Sequence, residues 1–228
     1  MATIMTCAQL SKAVYSMTVP DGLDIIGYER IICQETSTQG CAYITSDTLY
    51  VAMQGSAEGA DWLNNFKIIR RDYHGITAHR GFALAAESVL EQVHRILDDW
   101  SPSRRVVFTG HSLGGAIAVL LAVACRPRPA ELITFGQPRV SRQRQLDLTL
   151  YGPYLRVVNG SDIVPRKPWL GYSHGGHLLY LTNDGRRLDD PGWVARVKDR
   201  IWMTWQRQRI TDHYMTDYIE ELEQCDTR

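Results

Sequence analysis

Gly110-His111-Ser112-Leu113-Gly114, in the middle of the chain, spells G-x-S-x-G, with another glycine at 115. A serine hydroxyl is a weak nucleophile at neutral pH. It becomes effective when a strained turn lifts it clear of the fold and a base takes its proton. The flanking residues supply that turn. Residues 105–109, Arg-Val-Val-Phe-Thr, are a compact apolar run of strand type, and residues 113–124 are small and apolar at helical length. Where such a strand and helix approach, only glycine-sized neighbours fit, here Gly110 and Gly114. The amide of Leu113, at the helix amino end, then points to where an oxyanion forms when Ser112 attacks a carbonyl carbon. The chemistry indicated is acyl transfer through an acyl-serine. A chance glycine–serine turn has no reason to sit between a strand and a helix.

Elements able to hold this turn lie on both sides of it. Residues 6–15 read as a short helix; 25–33, 41–45 and 48–54 read as strands. A helical pattern over 80–100 carries Phe82, Leu84, Ala85, Val89, Leu90, Val93 and Leu97 on one face and stops at Ser101-Pro102. After the elbow come strand-like runs at 131–135 and 154–158, then helical patterns at 193–205 and 212–223. Strand and helix alternating through the centre predicts βαβ units, hence an α/β fold with a mainly parallel central sheet flanked by helices. The amino-terminal hairpin is expected to add antiparallel strands at one edge. No linker or repeat divides the chain, so a single domain over 1–228 is expected.

Composition narrows the partners. Hydrophobic residues make up 44% of the 228 and charged residues 22%, which is ordinary for a globular protein. Lysine plus arginine equals aspartate plus glutamate at 25 each, so the chain lacks the basic excess of a nucleic-acid binder. No window approaches the ~18 uninterrupted apolar residues of a membrane span. The first residues show no basic stretch followed by an apolar one, which gives a cytoplasmic expectation. The five cysteines show no C-x-x-C spacing, and the chemistry requires neither metal nor organic cofactor. Cys33 and Cys41 flank the hairpin and leave a cross-strand disulfide open, although reduced, packed thiols fit a chain without an export signal better.

The strand and elbow together, Arg-Val-Val-Phe-Thr then Gly-His-Ser-Leu-Gly-Gly, resemble those of the class 3 lipases, a branch of the α/β-hydrolases. Five further segments agree with that family in chain order. Val51-Ala52-Met53-Gln54-Gly55-Ser56 is similar to its strand ending in an oxyanion loop, with Gln54 where arginine is more usual. Asp61-Trp62-Leu63 with Phe66 is similar to its lid region, and His79-Arg80-Gly81-Phe82 to its H-x-G-F segment. Thr134-Phe135-Gly136-Gln137-Pro138-Arg139-Val140 matches T-F-G-x-P-R-V, and Asn159-Gly160-Ser161-Asp162-Ile163-Val164-Pro165 matches N-x-x-D-x-V-P.

The resemblance implies a triad in the order serine, acid, histidine. Asp162 lies just past a strand, where acids emerge at the carboxyl edge of such a sheet, and within the family's N-x-x-D-x-V-P pattern. Chain order sets aside His74, His79 and His94. His111 is expected to face away from the serine, which leaves His174, His177 and His213. In the family, the stretch matching Gly171-Tyr172-Ser173-His174 precedes the base, which sits in a segment like Asp212-His213-Tyr214. The resemblance therefore implies His213, with His174 in reserve. It also implies Ser56 as the second oxyanion donor beside Leu113.

Residues 57–66 admit two readings. Trp62 and Leu63 either belong to a lid that opens at a lipid surface and contact substrate, or pack down in an ordinary loop. Trp169, Leu170, Trp202 and Trp205 would line an acyl groove or, at that spacing, belong to core and rim. The expected activity is hydrolysis of fatty acyl esters such as acylglycerols, with transient contact to a lipid surface. An acyltransferase or thioesterase would use the same triad. A silent lipid-binding module would need none of its members.

Overall fold

The computed structural model describes residues 3–56, 69–101, 104–141, 146, 152–160, 162–205 and 213–226, with the main chain alone at 200–205 and 226. The chain opens with helix α1 (Ile4–Ala13), which begins ahead of its apolar pattern because the Thr3 side chain caps it by accepting from the Thr6 amide. Strands β1 (Gly27–Cys33), β2 (Thr38–Ile44) and β3 (Thr48–Met53) follow, then the short pair β4 (Arg70–Tyr73) and β5 (Ile76–His79). Helix α2 (Arg80–Asp99) leads to β6 (Arg105–His111), α3 (Leu113–Ala124), β7 (Glu131–Phe135) and β8 (Tyr154–Asn159). A 3-10 turn (Val164–Arg166), β9 (His177–Leu181), β10 (Arg187–Asp189), α4 (Trp193–Trp205) and α5 (Met215–Asp226) complete it.

Eight of the strands form one sheet in the order β1-β2-β3-β6-β7-β8-β9-β10. The five from β3 to β9 run parallel to one another, while β1, β2 and β10 add antiparallel strands at the two edges. Burial on both faces explains why β3, β6 and β7 are continuous apolar runs rather than alternating ones. On one face α2 and α3 build a core around Val89, Val93, Phe108, Ile117 and Leu121. On the other, α1 and α5 build a second core around Leu10, Val14, Tyr43, Phe135 and Tyr218.

Helix α3 has ten buried residues, so it is apolar all round rather than striped. Helix α2 shows the expected single stripe, and its H-x-G-F opening acts as a cap: the His79 side chain accepts from the Phe82 amide. Strands β4, β5, β9 and β10 are additions to the sequence reading. Each is only three to five residues long, and β10 is the tripeptide Arg-Leu-Asp. The β1–β2 register sets Cys33 opposite Thr38 and Cys41 opposite Arg30, and all five cysteines are free.

Candidate active site

The elbow is built as the glycine spacing demands. Ser112 takes φ 55° and ψ −127°, a backbone conformation that a residue with a side chain adopts only when its surroundings impose it. The surroundings are tight. A Cβ on Gly110 would lie 2.5 Å from the Gly114 carbonyl carbon, and one on Gly114 would lie 2.1 Å from the Met53 carbonyl oxygen. The Ser112 amide donates to the Phe135 carbonyl at 2.9 Å, which ties the turn to β7.

Asp162 and His213 arrive at Ser112 from the ends of neighbouring elements. Asp162 follows β8 through a turn in which its amide donates to the Asn159 carbonyl. Its Oδ1 accepts from the Val164 amide at 2.8 Å, so the carboxylate also caps the short 3-10 turn. Its Oδ2 faces His213 Nδ1 at 2.7 Å, and His213 Nε2 lies 2.7 Å from Ser112 Oγ. Ionised Asp162 offers only acceptors, so Nδ1 carries the proton and Nε2 accepts from the serine hydroxyl. Asp162 and Ser112 are buried and the His213 side chain is 11% exposed, so water competes little for these bonds.

Two neighbours, Tyr218 and Tyr15, were not read from the sequence. The Tyr218 hydroxyl, fully buried on α5, donates to Asp162 Oδ2 at 2.6 Å and accepts from the Asn159 amide at 3.2 Å. Burial, reinforced by the adjacent carboxylate, holds its phenol well above the ordinary range, so it acts as a donor throughout. His111 does avoid the serine, yet its ring packs 4.6 Å from that of His213. Burial, then the neighbouring His213, keeps it well below the usual histidine range and hence neutral. Its Nδ1 meets the Tyr15 hydroxyl at 3.0 Å. Burial pushes the Tyr15 phenol up to about 12, countered by the Gly55 amide that donates to it. Tyr15 thus links α1, the elbow and the loop before Ser56. No spacing rule joins residue 15 to residue 111. Gly136, inside T-F-G-x-P-R-V, has φ 56°, and a Cβ there would come within 2.7 Å of Asp162 Oδ2 and 3.1 Å of His213 Cε1.

A cavity of about 290 Å³ opens beside Ser112, lined by Lys12, Tyr15, Ser56, His111, His213, Tyr214, Met215 and Thr216. Ser56 is therefore brought to the serine. Leu113 begins α3 directly after it, so its amide is among the first of that helix. His174 is not brought in: its Nε2 faces the Pro165 carbonyl at 2.6 Å. His177 pairs with Asp189 at the far edge of the sheet. Trp169 and Leu170 stand exposed and do not line the cavity. Trp62, Leu63, Phe66, Ser161 and Asp212, and the side chains of Trp202 and Trp205, lie outside the described residues.

The sequence model of the class 3 lipases matches residues 50–172, just over half of the chain. The chain belongs to the class 3 lipase family. It is 32% identical over 179 residues to the secreted mono- and diacylglycerol lipase 1 of Fusarium solani, covering 72% of this chain and 53% of that one. It is 30% identical over 181 residues to the lipase of Rhizomucor miehei, covering 72% and 50%. The chain thus spans about half the length of these curated relatives. The solved structure of the Rhizomucor miehei lipase propeptide complex superposes with a TM-score of 0.71 at 28% identity, over 82% of this chain and 70% of that one. The fold is that of the α/β-hydrolases. The cytoplasmic expectation is corrected here. It rested on a missing export leader, an absence that assigns no compartment, while the Fusarium relative is by name a secreted enzyme.

Proposed function

We propose that this protein hydrolyses fatty acyl esters such as acylglycerols, as a single catalytic domain with Ser112 as nucleophile, His213 as general base and Asp162 as the residue that orients it. The observation that carries the reading is the continuous path from Asp162 Oδ2 through both His213 nitrogens to Ser112 Oγ, with 2.7 Å at each end. His213 Nε2 takes the hydroxyl proton as Oγ bonds to the ester carbonyl carbon, and Asp162 stabilises the imidazolium that results. The amides of Leu113 and Ser56 are proposed to hold the oxyanion. Collapse of the tetrahedral species expels the alcohol, which takes the proton from His213. Water, deprotonated by the same histidine, then releases the acid.

Membership of the class 3 lipases supports acyl esters as the substrate class, and both quoted relatives carry the word lipase in their names. The test is hydrolysis of p-nitrophenyl esters of graded chain length and of emulsified triacylglycerol, by wild type and Ser112→Ala. Removal of a triad member costs about 10⁴-fold or more in kcat. Wild type should hydrolyse these esters, and the variant should lose at least that factor while remaining folded. A variant within about tenfold of wild type, or a wild type inert towards every ester, would overturn the proposal.

A further inference from the structure

Helix α1 reaches the active site by a two-rung contact with β6, the strand that leads into Ser112. The first rung is deep: Ser11 Oγ and Thr109 Oγ1 lie 3.0 Å apart, and both residues are fully buried. The second borders the cavity, where the Tyr15 hydroxyl meets His111 Nδ1 at 3.0 Å. Tyr15 sits in the turn that closes the helix, its amide donating to the Lys12 carbonyl at 3.2 Å, so it stays about one helical turn from Ser11. Four residues of helix advance about 6 Å. From Thr109 to His111, two residues along one face of a strand, the advance is about 6.6 Å. The rungs match in spacing, so seating α1 on β6 through Ser11 delivers the Tyr15 hydroxyl to the elbow.

That hydroxyl has one proton and two neighbours. The Gly55 amide donates to its oxygen, so its own proton goes to His111 Nδ1. Burial suits both groups to these roles: it pushes the phenol up to about 12 and holds His111 neutral, with Nδ1 able to accept. Gly55 belongs to the loop that leaves β3. In that loop the Gln54 amide donates to the Gln39 carbonyl at 2.9 Å, and the Gly55 amide is taken by Tyr15. The next amide is that of Ser56, the proposed oxyanion donor. The loop lies hard against the elbow. A Cβ on Gly55 would come within 2.4 Å of the Tyr15 hydroxyl oxygen, 2.7 Å of the His111 carbonyl oxygen and 3.3 Å of Ser112 Cβ. Such contact limits how near the loop comes, but it does not set how its peptide planes are turned. Hydrogen bonds to two successive amides do, and the second fixes the plane immediately before that of Ser56.

We infer that Tyr15 is a positioning residue for ester cleavage: its hydroxyl ties the 55–56 loop to the elbow at His111 and so holds the Ser56 amide where negative charge develops on the ester oxygen. This rests on the ester-hydrolase reading. The Tyr15 side chain also lines the cavity. Its hydroxyl, however, is engaged by Gly55 and His111, so it serves the charge of the transition state rather than the affinity for substrate.

Tyr15→Phe removes that oxygen and keeps the ring. Wild type and variant are compared on a soluble short-chain p-nitrophenyl ester. Rates are referred to active sites counted by fluorophosphonate labelling, so that unfolded protein is not read as lost catalysis. Losing an oxyanion donor costs about 10²-fold or more, and misplacing one approaches that. The variant's kcat should therefore fall at least about tenfold while KM stays within about threefold. A trifluoromethyl ketone with the same acyl chain, which becomes an oxyanion when Ser112 adds to it, should bind more weakly by the same factor as kcat falls. The corresponding secondary alcohol, which forms no adduct, should bind as before. The pH midpoint of kcat/KM should not move, because Asp162 still holds His213.

A loss of kcat under about tenfold, or a loss carried by KM, would overturn the inference. So would a matching loss of alcohol binding, which would make Tyr15 a wall of the pocket. A shifted pH midpoint would overturn it too, since the effect would then run to His213 through the His111 ring packed on it. A wild type that neither cleaves an ester nor takes the label overturns the proposed function and this inference with it. A wild type that does both, beside an equally fast Tyr15→Phe, overturns the inference alone.

Discussion

Two of the three histidines that follow Asp162 end in opposite surroundings. His213 has a carboxylate on one nitrogen and a serine hydroxyl on the other, at the edge of an open cavity. His174 has the Pro165 carbonyl on Nε2, while its Nδ1 is buried without a hydrogen-bond partner among the described residues. Burial first, and nearby Arg156 next, hold His174 well below the usual histidine range, so it stays neutral. A base must gain and lose a proton within each turnover. His213 has the geometry for that exchange, with a carboxylate on one nitrogen and the serine hydroxyl on the other. His174 is placed to resist it, in a positive environment. Both satisfy the chain order serine, acid, histidine, so order alone does not separate them; the groups on each ring nitrogen do.

The largest expected effect follows directly. His213→Ala should lower kcat for a soluble ester by about 10⁴-fold, the scale of losing a triad member. His174→Ala should leave kcat within about tenfold of wild type and lower the thermal midpoint instead, because it removes a buried contact to the Pro165 carbonyl. Kinetics and thermal unfolding on both variants test the pair. A catalytic collapse in His174→Ala, with His213→Ala active, would reverse the assignment.

A smaller effect concerns pH. Burial keeps His174 and His111 both well below the ordinary histidine value of about 6.5 in the folded protein. Below about pH 6.5 the unfolded chain therefore binds protons that the native state refuses, and stability falls as pH drops. The contribution is fully present above that pH. Each such histidine adds about 1.4 kcal/mol of lost stability per pH unit. Urea unfolding between about pH 7.5 and 5.5 should show this decline, and His174→Gln should lower its slope by about one histidine's worth. An unchanged slope in His174→Gln would mean that His174 is protonated in the native state.

The same contrast shows what the sequence could convey. The elbow was legible because its constraint is local: Gly110, Ser112 and Gly114 must lie at fixed spacing between one strand and one helix. The parallel centre was legible for a related reason, since buried strands such as β6 and β7 are unbroken apolar runs. Asp162 and His213 needed the family resemblance, as a turn aspartate and a histidine before a helix have many ordinary uses. Tyr15 and Tyr218 were not legible. Each acts through one hydroxyl across a long sequence separation, to His111 and Asp162 respectively, and no periodicity marks such a bond. Strands β9 and β10 escaped because runs of three to five residues are too short to show a period.

The account stands most directly on the reactivity of a single hydroxyl. Treatment with a fluorophosphonate, followed by peptide mapping, measures which serine is activated. Wild type should carry one phosphonyl group, on Ser112, and His213→Ala should label far more slowly. Modification of a different serine, or equal labelling of Ser112→Ala and wild type, would contradict the claim that Asp162, His213 and Ser112 act as one chain of proton transfer.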